Sequence, residues 1–174
     1  MIELFAGRRS MSRAFEKLGF ETKTYDWNPE LHTDYCADIN DLTIADMEGA
    51  DVIWASPDCT KFSYASGAKN EFRAANEDPL SSDALDALMK GLPIETVSYC
   101  SYGHDFRKYT NIWGRFPPSW KARSWCSHNH HPNIKQHGNA QDRSIIPDRL
   151  CEEIARSCLA DSGRQIETLQ RWME

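Results

Sequence analysis

The spacing of apolar and polar residues at the start of the chain predicts a strand followed by a helix. Residues 1–5 form a short apolar run that ends at Ala6-Gly7, which indicates a buried strand that leads into a turn. Residues 10–18 then place apolar side chains at the spacing of a helix face, and Gly19 predicts where that helix ends. The first elements are therefore a strand, a turn and a helix.

Further strand patterns follow in the first third of the chain. Residues 21–25 alternate as a second strand that ends at Asp26. Residues 35–39 contain the end of a third strand, and residues 51–55 form the clearest strand of all. A short polar helix is expected over 44–48. Since strand, helix, strand and strand in this order are typical of α/β proteins, we predict an α/β fold with a mostly parallel sheet.

The pattern is weaker in the remainder of the chain. A short helix is predicted over 82–90, a strand over 94–101, and the start of another strand at 111–113. Residues 117–141 are rich in Pro, His, Asn and Ser, which predicts one long surface loop. A final helix is predicted over 147–158, beginning with a proline.

Composition favours one globular domain that covers residues 1–174. Hydrophobic residues make up 40% and charged residues 26%, which argues against disorder. No apolar run approaches the ~20 residues that span a bilayer, and the N-terminal residues do not resemble a secretory signal. A soluble intracellular protein without membrane partners is expected. The six cysteines contain no CxxC pair, so no disulfide framework is expected.

Charge is distributed unevenly along the chain. The net charge of -6 argues against a protein that coats DNA by charge alone. Residues 21–60 carry ten acids and one base, whereas residues 100–150 carry eight bases and three acids. An acidic half that suits a cationic or hydroxyl-rich cofactor is thus followed by a half that suits phosphates. Chance clustering on solvated faces is an equally good explanation.

Two kinds of residue at the predicted strand ends fit a nucleotide-type ligand. The Gly7 turn between strand and helix would let a ligand approach backbone N–H groups at a helix N-terminus. Asp26 could hold ribose hydroxyls, as acids at this position often do, and Asp38 could accept from an adenine amino group. Each acid taken alone is explained at least as well by a turn or a cap.

Residues 55–63, ASPDCTKFS, contain the clearest candidate nucleophile. Cys59 follows a strand in a proline-containing loop at the predicted carboxyl edge of the sheet, a position suited to nucleophilic attack. A lone cysteine is more often a small buried hydrophobic residue. The neighbouring Asp58 would also disfavour the thiolate unless its carboxylate points away.

In this order, these motifs resemble those of cytosine-5 DNA methylases, and most closely the compact phage and prophage branch. The resemblance covers most of the chain: ELFAGRRS, Asp26, Asp38-Ile39 and WASPDCTKFSYA are followed by similar segments at 90–93, 97–103, 107–113 and 143–147. Each motif is short, and their joint order is the specific feature.

The resemblance implies a Rossmann-like S-adenosylmethionine-dependent methyltransferase that acts on DNA in the cytoplasm of a bacterial cell or a phage-infected host. Such an enzyme flips a cytosine out of the duplex, and Cys59 would attack its C6 atom. Residues 1–63 would hold the cofactor and the nucleophile, and residues 94–158 would face the base and the DNA. Arg107 would meet the flipped base or its phosphate, and Lys108 and Arg143 would contact DNA, although ordinary surface charge explains these bases equally well. The implied S-adenosylmethionine-binding residues are Phe5, Ala6, Gly7, Ser10, Asp26, Asp38 and Pro57.

The chain departs from the family pattern in the middle. The family's Glu-Asn-Pro or Glu-Asn-Val motif, whose glutamate holds the cytosine ring, does not occur, and the fold is expected to be truncated there. Loss of such an acid typically forfeits ~10²–10⁴ in rate. Glu71, Glu77 and Glu95 are candidates to replace it. No separate target recognition domain is expected, so any sequence preference must come from residues 108–141 or from a partner. A second copy or a partner subunit could supply the missing elements.

Two alternatives remain beside the active methylase. One is a noncatalytic relative that binds S-adenosylmethionine or DNA as a decoy or regulatory subunit, and the other is an unstable remnant of a deleted gene. The sequence Cys126-Ser-His128-Asn-His130-His131 contains zinc-ligand residue types, but a structural site usually needs a second pair. We therefore predict no metal, and favour a flexible loop near DNA.

Overall fold

A four-stranded parallel sheet forms the N-terminal part of the protein. The structure is a computed structural model that describes residues 1–57, 91–126, 142 and 144–163. The strands are β1 (Ile2–Leu4), β2 (Lys23–Asp26), β3 (Tyr35–Cys36) and β4 (Ile53–Ala55), and their spatial order is β3-β2-β1-β4.

The inner strand β1 pairs in parallel with a neighbour on each side. Ile2 lies opposite Lys23 of β2 and opposite Ile53 of β4, so both pairs keep the same register. Because all four strands are parallel, their carboxyl ends meet at one edge of the sheet. The predicted α/β fold with a parallel sheet is therefore confirmed at this coarse level.

Two helices build the core of the protein together. Helix α1 (Ser10–Glu16) packs against helix α2 (Asp148–Asp161). Met11 and Phe15 of α1 are fully buried in the same hydrophobic cluster as Leu150 of α2. Burial of side chains of this size typically contributes ~1.5–3 kcal/mol each, so the contact between the two helices is a main source of stability.

A β-hairpin completes the described structure. Strands β5 (Ile94–Ser98) and β6 (Tyr109–Trp113) pair antiparallel and form a sheet of their own. A 3-10 turn, Tyr99–Tyr102, follows β5 directly. Tyr99 and Tyr102 are buried in the core cluster, so the hairpin is tied to the two helices.

Several predicted boundaries need correction. The helix predicted to reach residue 18 ends at Glu16, because the chain turns over the next residues and Gly19 takes a left-handed backbone with φ of 81°. The polar helix expected over 44–48 is a 3-10 turn, Ile44–Met47. The strand predicted over 94–101 ends at Ser98.

The other element predictions divide by position. The third strand is present but has only two residues, and the last helix runs through Asp161, three residues beyond its predicted end. Residues 117–126 contain neither helix nor strand, as predicted, whereas 127–141 and the helix predicted over 82–90 lie outside the described residues. Among the described residues, no helix is long and apolar enough to cross a membrane.

Candidate functional site

The turn after β1 has an unusual backbone. Phe5, Gly7 and Arg9 all have positive φ angles, of 53°, 48° and 57°. Positive φ is uncommon for residues other than glycine and is strained for a bulky side chain. The turn leads directly into α1 and lies where β1 ends, as the sequence predicted.

Asp26 holds this turn in place from the end of the neighbouring strand β2. Its Oδ2 atom accepts a hydrogen bond from the Gly7 backbone N–H at 3.0 Å, and its Oδ1 atom accepts one from the Asn28 N–H at 3.1 Å. The side chain is buried. Each carboxylate oxygen can accept a second hydrogen bond, so this arrangement leaves acceptor capacity for a ligand hydroxyl.

A cavity of about 210 Å³ lies beside this turn at the carboxyl edge of the sheet. Ligand pockets usually measure ~300–1,000 Å³, so this cavity matches a single flat ring system better than a whole dinucleotide. Its walls combine aromatic rings with two carboxylates, which suits a planar group with polar edges. The lining residues are Phe5, Tyr25, Asp26, Trp27, Ala37, Asp38, Ile39 and Leu42.

Asp38 is the second carboxylate that lines the cavity. Its Oδ1 atom accepts from the backbone N–H and the side-chain amide of Asn40, at 2.9 and 2.8 Å, and caps a 3-10 turn, Ile39–Asp41. Its Oδ2 atom has no hydrogen-bond partner within the described part of the chain. The carboxylate therefore combines a fixed position with an acceptor that a ligand could use.

The remaining predicted cofactor residues belong to the same edge of the sheet. Ala6 is buried within the turn, and Ser10 is the first residue of α1. Pro57 follows β4, which pairs directly with β1. Cys59 and Arg143 lie outside the described residues.

The predicted DNA-contacting residues lie elsewhere in the fold. Arg107 and Lys108 immediately precede β6 and are half-buried, so they belong to the hairpin rather than to the carboxyl edge of the parallel sheet. The Lys108 ammonium lies 4.8 Å from the centre of the Tyr99 ring. The structure thus brings together the predicted cofactor residues of the turn and cavity, and places Arg107 and Lys108 on a separate element.

Sequence reasoning missed the buried carboxylate of Glu3. This residue of β1 is 1% exposed, and its two oxygens accept from the backbone N–H groups of Met11 (3.3 Å) and Ser12 (2.7 Å). Burial raises the pKa of the Glu3 carboxyl above its usual 4.5, while the hydrogen bonds from Ser12 and Met11 oppose the shift. A charged residue inside an apolar strand was the available signal.

A second cavity, of about 350 Å³, separates the turn after β5 from the start of α2. It is lined by Tyr102, His104 and Arg149, among others. Burial lowers the pKa of His104, and Asp105 opposes the shift. No sequence motif predicted this cavity. Within the described ranges, no group of three or more His, Cys, Asp or Glu side chains is arranged to hold a metal ion.

Comparison of the chain with protein-family models, curated proteins and solved structures finds no match in any of the three. The resemblance to cytosine-5 DNA methylases therefore rests on the short motifs and their order. The geometry of the β1 turn and its cavity is an observation that does not depend on this resemblance.

Proposed function

We propose that this protein is an S-adenosylmethionine-dependent methyltransferase of the cytosine-5 DNA methylase type, with a Rossmann-like fold and Cys59 as its nucleophile. The observation that carries the proposal is the cavity between the Gly7 turn and Asp38. It lies at the carboxyl edge of a sheet ordered β3-β2-β1-β4. Doubly wound α/β sheets use this strand order in one half, and they bind nucleotide ligands at that edge.

The described residues fit the adenosine part of the cofactor. The Asp38 Oδ2 atom is available to accept from an exocyclic amino group, and the Phe5 and Trp27 rings bound a space suited to a planar base. Asp26 can accept from a ribose hydroxyl while it holds the Gly7 N–H. When bound, S-adenosylmethionine supplies a methyl group on a positively charged sulfur. A cation of this kind suits the acidic part of the chain.

Cys59 would act from the loop that follows β4. Because β4 pairs with β1, the chain leaves β4 at the same edge as the Gly7 turn. In this role the Cys59 thiolate adds to C6 of an extruded cytosine, which makes C5 nucleophilic toward the methyl group. A base then removes the C5 proton, and the thiolate leaves as the C5–C6 double bond forms again.

The glutamate that normally holds the cytosine ring needs a substitute in this chain. Glu95 is half-buried on β5, and Glu71 and Glu77 lie outside the described residues. We therefore expect slow transfer, by the ~10²–10⁴ that a missing general acid or base typically costs.

Calorimetric titration with S-adenosylmethionine tests the cofactor site. Asp38→Ala should weaken binding about tenfold or more, because a hydrogen bond to a charged group contributes ~1.5–3 kcal/mol. Asp41→Ala, in the same 3-10 turn, is the matched control and should bind like the unmodified protein. Equal effects of the two substitutions, or no binding at all, would contradict the proposed site.

Transfer of tritiated methyl groups to DNA tests the reaction. Radiolabel should appear in 5-methylcytosine, identified by mass spectrometry of the nucleosides. Cys59→Ser should abolish the signal, while Cys126→Ser should preserve it. Methylation that survives Cys59→Ser would exclude the nucleophile.

The lack of the Glu-Asn-Pro or Glu-Asn-Val motif favours a second candidate, a noncatalytic S-adenosylmethionine- or DNA-binding relative. Calorimetry separates the two candidates. Cofactor binding without methyl transfer under any DNA condition supports the noncatalytic protein, and binding with transfer supports the enzyme.

A further inference from the structure

The β5–β6 hairpin has two unlike faces. On one face, Val97 is fully buried and Ile112 packs against the core cluster. On the other face, Ile94 lies directly opposite Trp113, and Tyr109 occupies the same face because it is four residues before Trp113. Antiparallel sheets with one face on the core normally present polar side chains outward. This hairpin presents aromatic rings instead.

These exposed side chains form two pairs, Ile94 with Trp113 and Tyr109 with Trp125. Trp125, from the segment after the hairpin, packs its ring 5.2 Å from the ring of Tyr109. The exposed fractions are 63% for Trp125, 50% for Tyr109, 51% for Ile94 and 37% for Trp113. We call these four residues the aromatic face. Single exposed apolar residues are common, whereas several large ones on one face indicate a binding surface.

A polar pair lies in the middle of the aromatic face. Thr96 lies opposite Asn111, between the Ile94–Trp113 pair and the Tyr109 position. The Thr96 hydroxyl donates to the Asn111 side-chain oxygen at 2.9 Å, which leaves the Asn111 amide N–H groups as donors. A partner would therefore meet flat apolar rings at both ends and hydrogen-bonding groups between them.

The segment that carries the aromatic face is basic, whereas the whole chain is acidic; Arg123 of this segment is paired with Glu153 of α2. Residues 91–126 carry five bases and two acids, although the complete chain has a net charge of -6. Arg115 and Lys121 are exposed and follow β6, and Lys108 immediately precedes it. Basic side chains near exposed aromatic rings are typical of proteins that bind single-stranded nucleic acid.

We infer that the aromatic face binds unpaired nucleobases by stacking, and that the nearby basic side chains contact phosphates. The Tyr109 and Trp113 positions are about 13 Å apart along β6, a span that a few nucleotides cover. Base pairs in a duplex hide their ring faces, so the surface is expected to prefer single strands. This inference deepens the proposed function, since it concerns the DNA partner, but it requires neither the cofactor nor Cys59.

A second copy of the chain is the competing occupant. If two copies associated through this face, their basic side chains would lie close together, and like charges oppose association. The charge therefore favours an anionic polymer over self-association.

Fluorescence anisotropy with a labelled single-stranded DNA of about 12 nucleotides tests the inference. The measurement is made without S-adenosylmethionine. Tyr109→Ala and Trp125→Ala should each weaken binding about tenfold, which corresponds to ~1.4 kcal/mol for one lost stacking contact. Tyr109→Phe keeps the ring and should bind nearly as well as the unmodified protein. Ile44→Ala removes an even more exposed apolar side chain, 85% exposed, from the acidic part of the chain and should have no effect.

The outcomes separate this inference from the proposed function. Affinity for duplex DNA equal to that for the single strand, or unchanged binding by both alanine variants, overturns the role of the aromatic face. A dimer in sedimentation that the alanine variants dissociate, without a change in DNA binding, overturns it in favour of self-association. Loss of single-strand binding by these variants supports it, even if Cys59 proves to have no methylating activity.

Discussion

Removal of the Glu3 carboxylate should destabilise the protein strongly. Glu3→Ala leaves the buried backbone N–H groups of Met11 and Ser12 without their acceptors. A hydrogen bond to a charged group contributes ~1.5–3 kcal/mol, so two of them total about 3–6 kcal/mol. The variant also avoids burying a charge, which partly offsets the loss. We therefore expect the free energy of unfolding to fall by about 3 kcal/mol.

Urea denaturation followed by circular dichroism measures this change. Thermal unfolding is a second measurement. For a chain of this size a loss of 1 kcal/mol lowers the melting temperature by ~2–4 °C, so Glu3→Ala should lower it by about 10 °C. Glu48→Ala, which removes an exposed carboxylate, is the control and should change stability by less than ~0.5 kcal/mol. If Glu3→Ala unfolds at the same urea concentration as Glu48→Ala, the hydrogen bonds of the Glu3 carboxylate do not stabilise the fold and the reasoning is wrong.

Three further predictions follow from the same region and from the core. Because burial raises the pKa of folded Glu3 above 4.5, the stability from its protonated form is present at low pH and is lost as pH rises through the folded pKa. The unfolding free energy, measured relative to Glu3→Gln, should therefore fall as pH rises from 4.5 through the folded pKa. Gly7→Ala forces a Cβ into a left-handed position and should cost about 1–2 kcal/mol, measured by thermal melting; an unchanged melting temperature would contradict the backbone strain. Burial raises the pKa of Cys151, so iodoacetamide should label exposed Cys36 in the folded protein but not Cys151, and equal labelling by peptide mass spectrometry would refute that.

The beginning of the fold could be predicted because local and global signals agree there. The apolar run, the Gly7 turn and the helical spacing that follows each specify one element, and the structure has β1, the turn and α1 in those places. The extent of α1 was overestimated because Leu18 fits the helical period although the chain has already turned, and it packs against the core from that turn.

The candidate site was predicted in part. Asp26 and Asp38 were found because acids at strand ends are visible in the sequence, and both line the same cavity. The Asp26–Gly7 hydrogen bond was not predictable, since it depends on β1 and β2 being neighbours in parallel register. Glu3 was missed because an acid within an apolar run has no local signature of its partners, which belong to a helix that begins seven residues later.

The pairing of α1 with α2 has a consequence for how the chain matures on the ribosome. Lys17, directly after α1, contacts Glu152 of α2, which is 135 residues further along the chain. Helices α1 and α2 form the core together. While synthesis is in progress, the apolar side chains of α1 must wait for α2 to emerge before they are buried. Forming a contact between such distant residues slows folding, and the apolar residues exposed meanwhile make the nascent chain prone to aggregation. Chaperone dependence during translation is therefore an expected property of this protein.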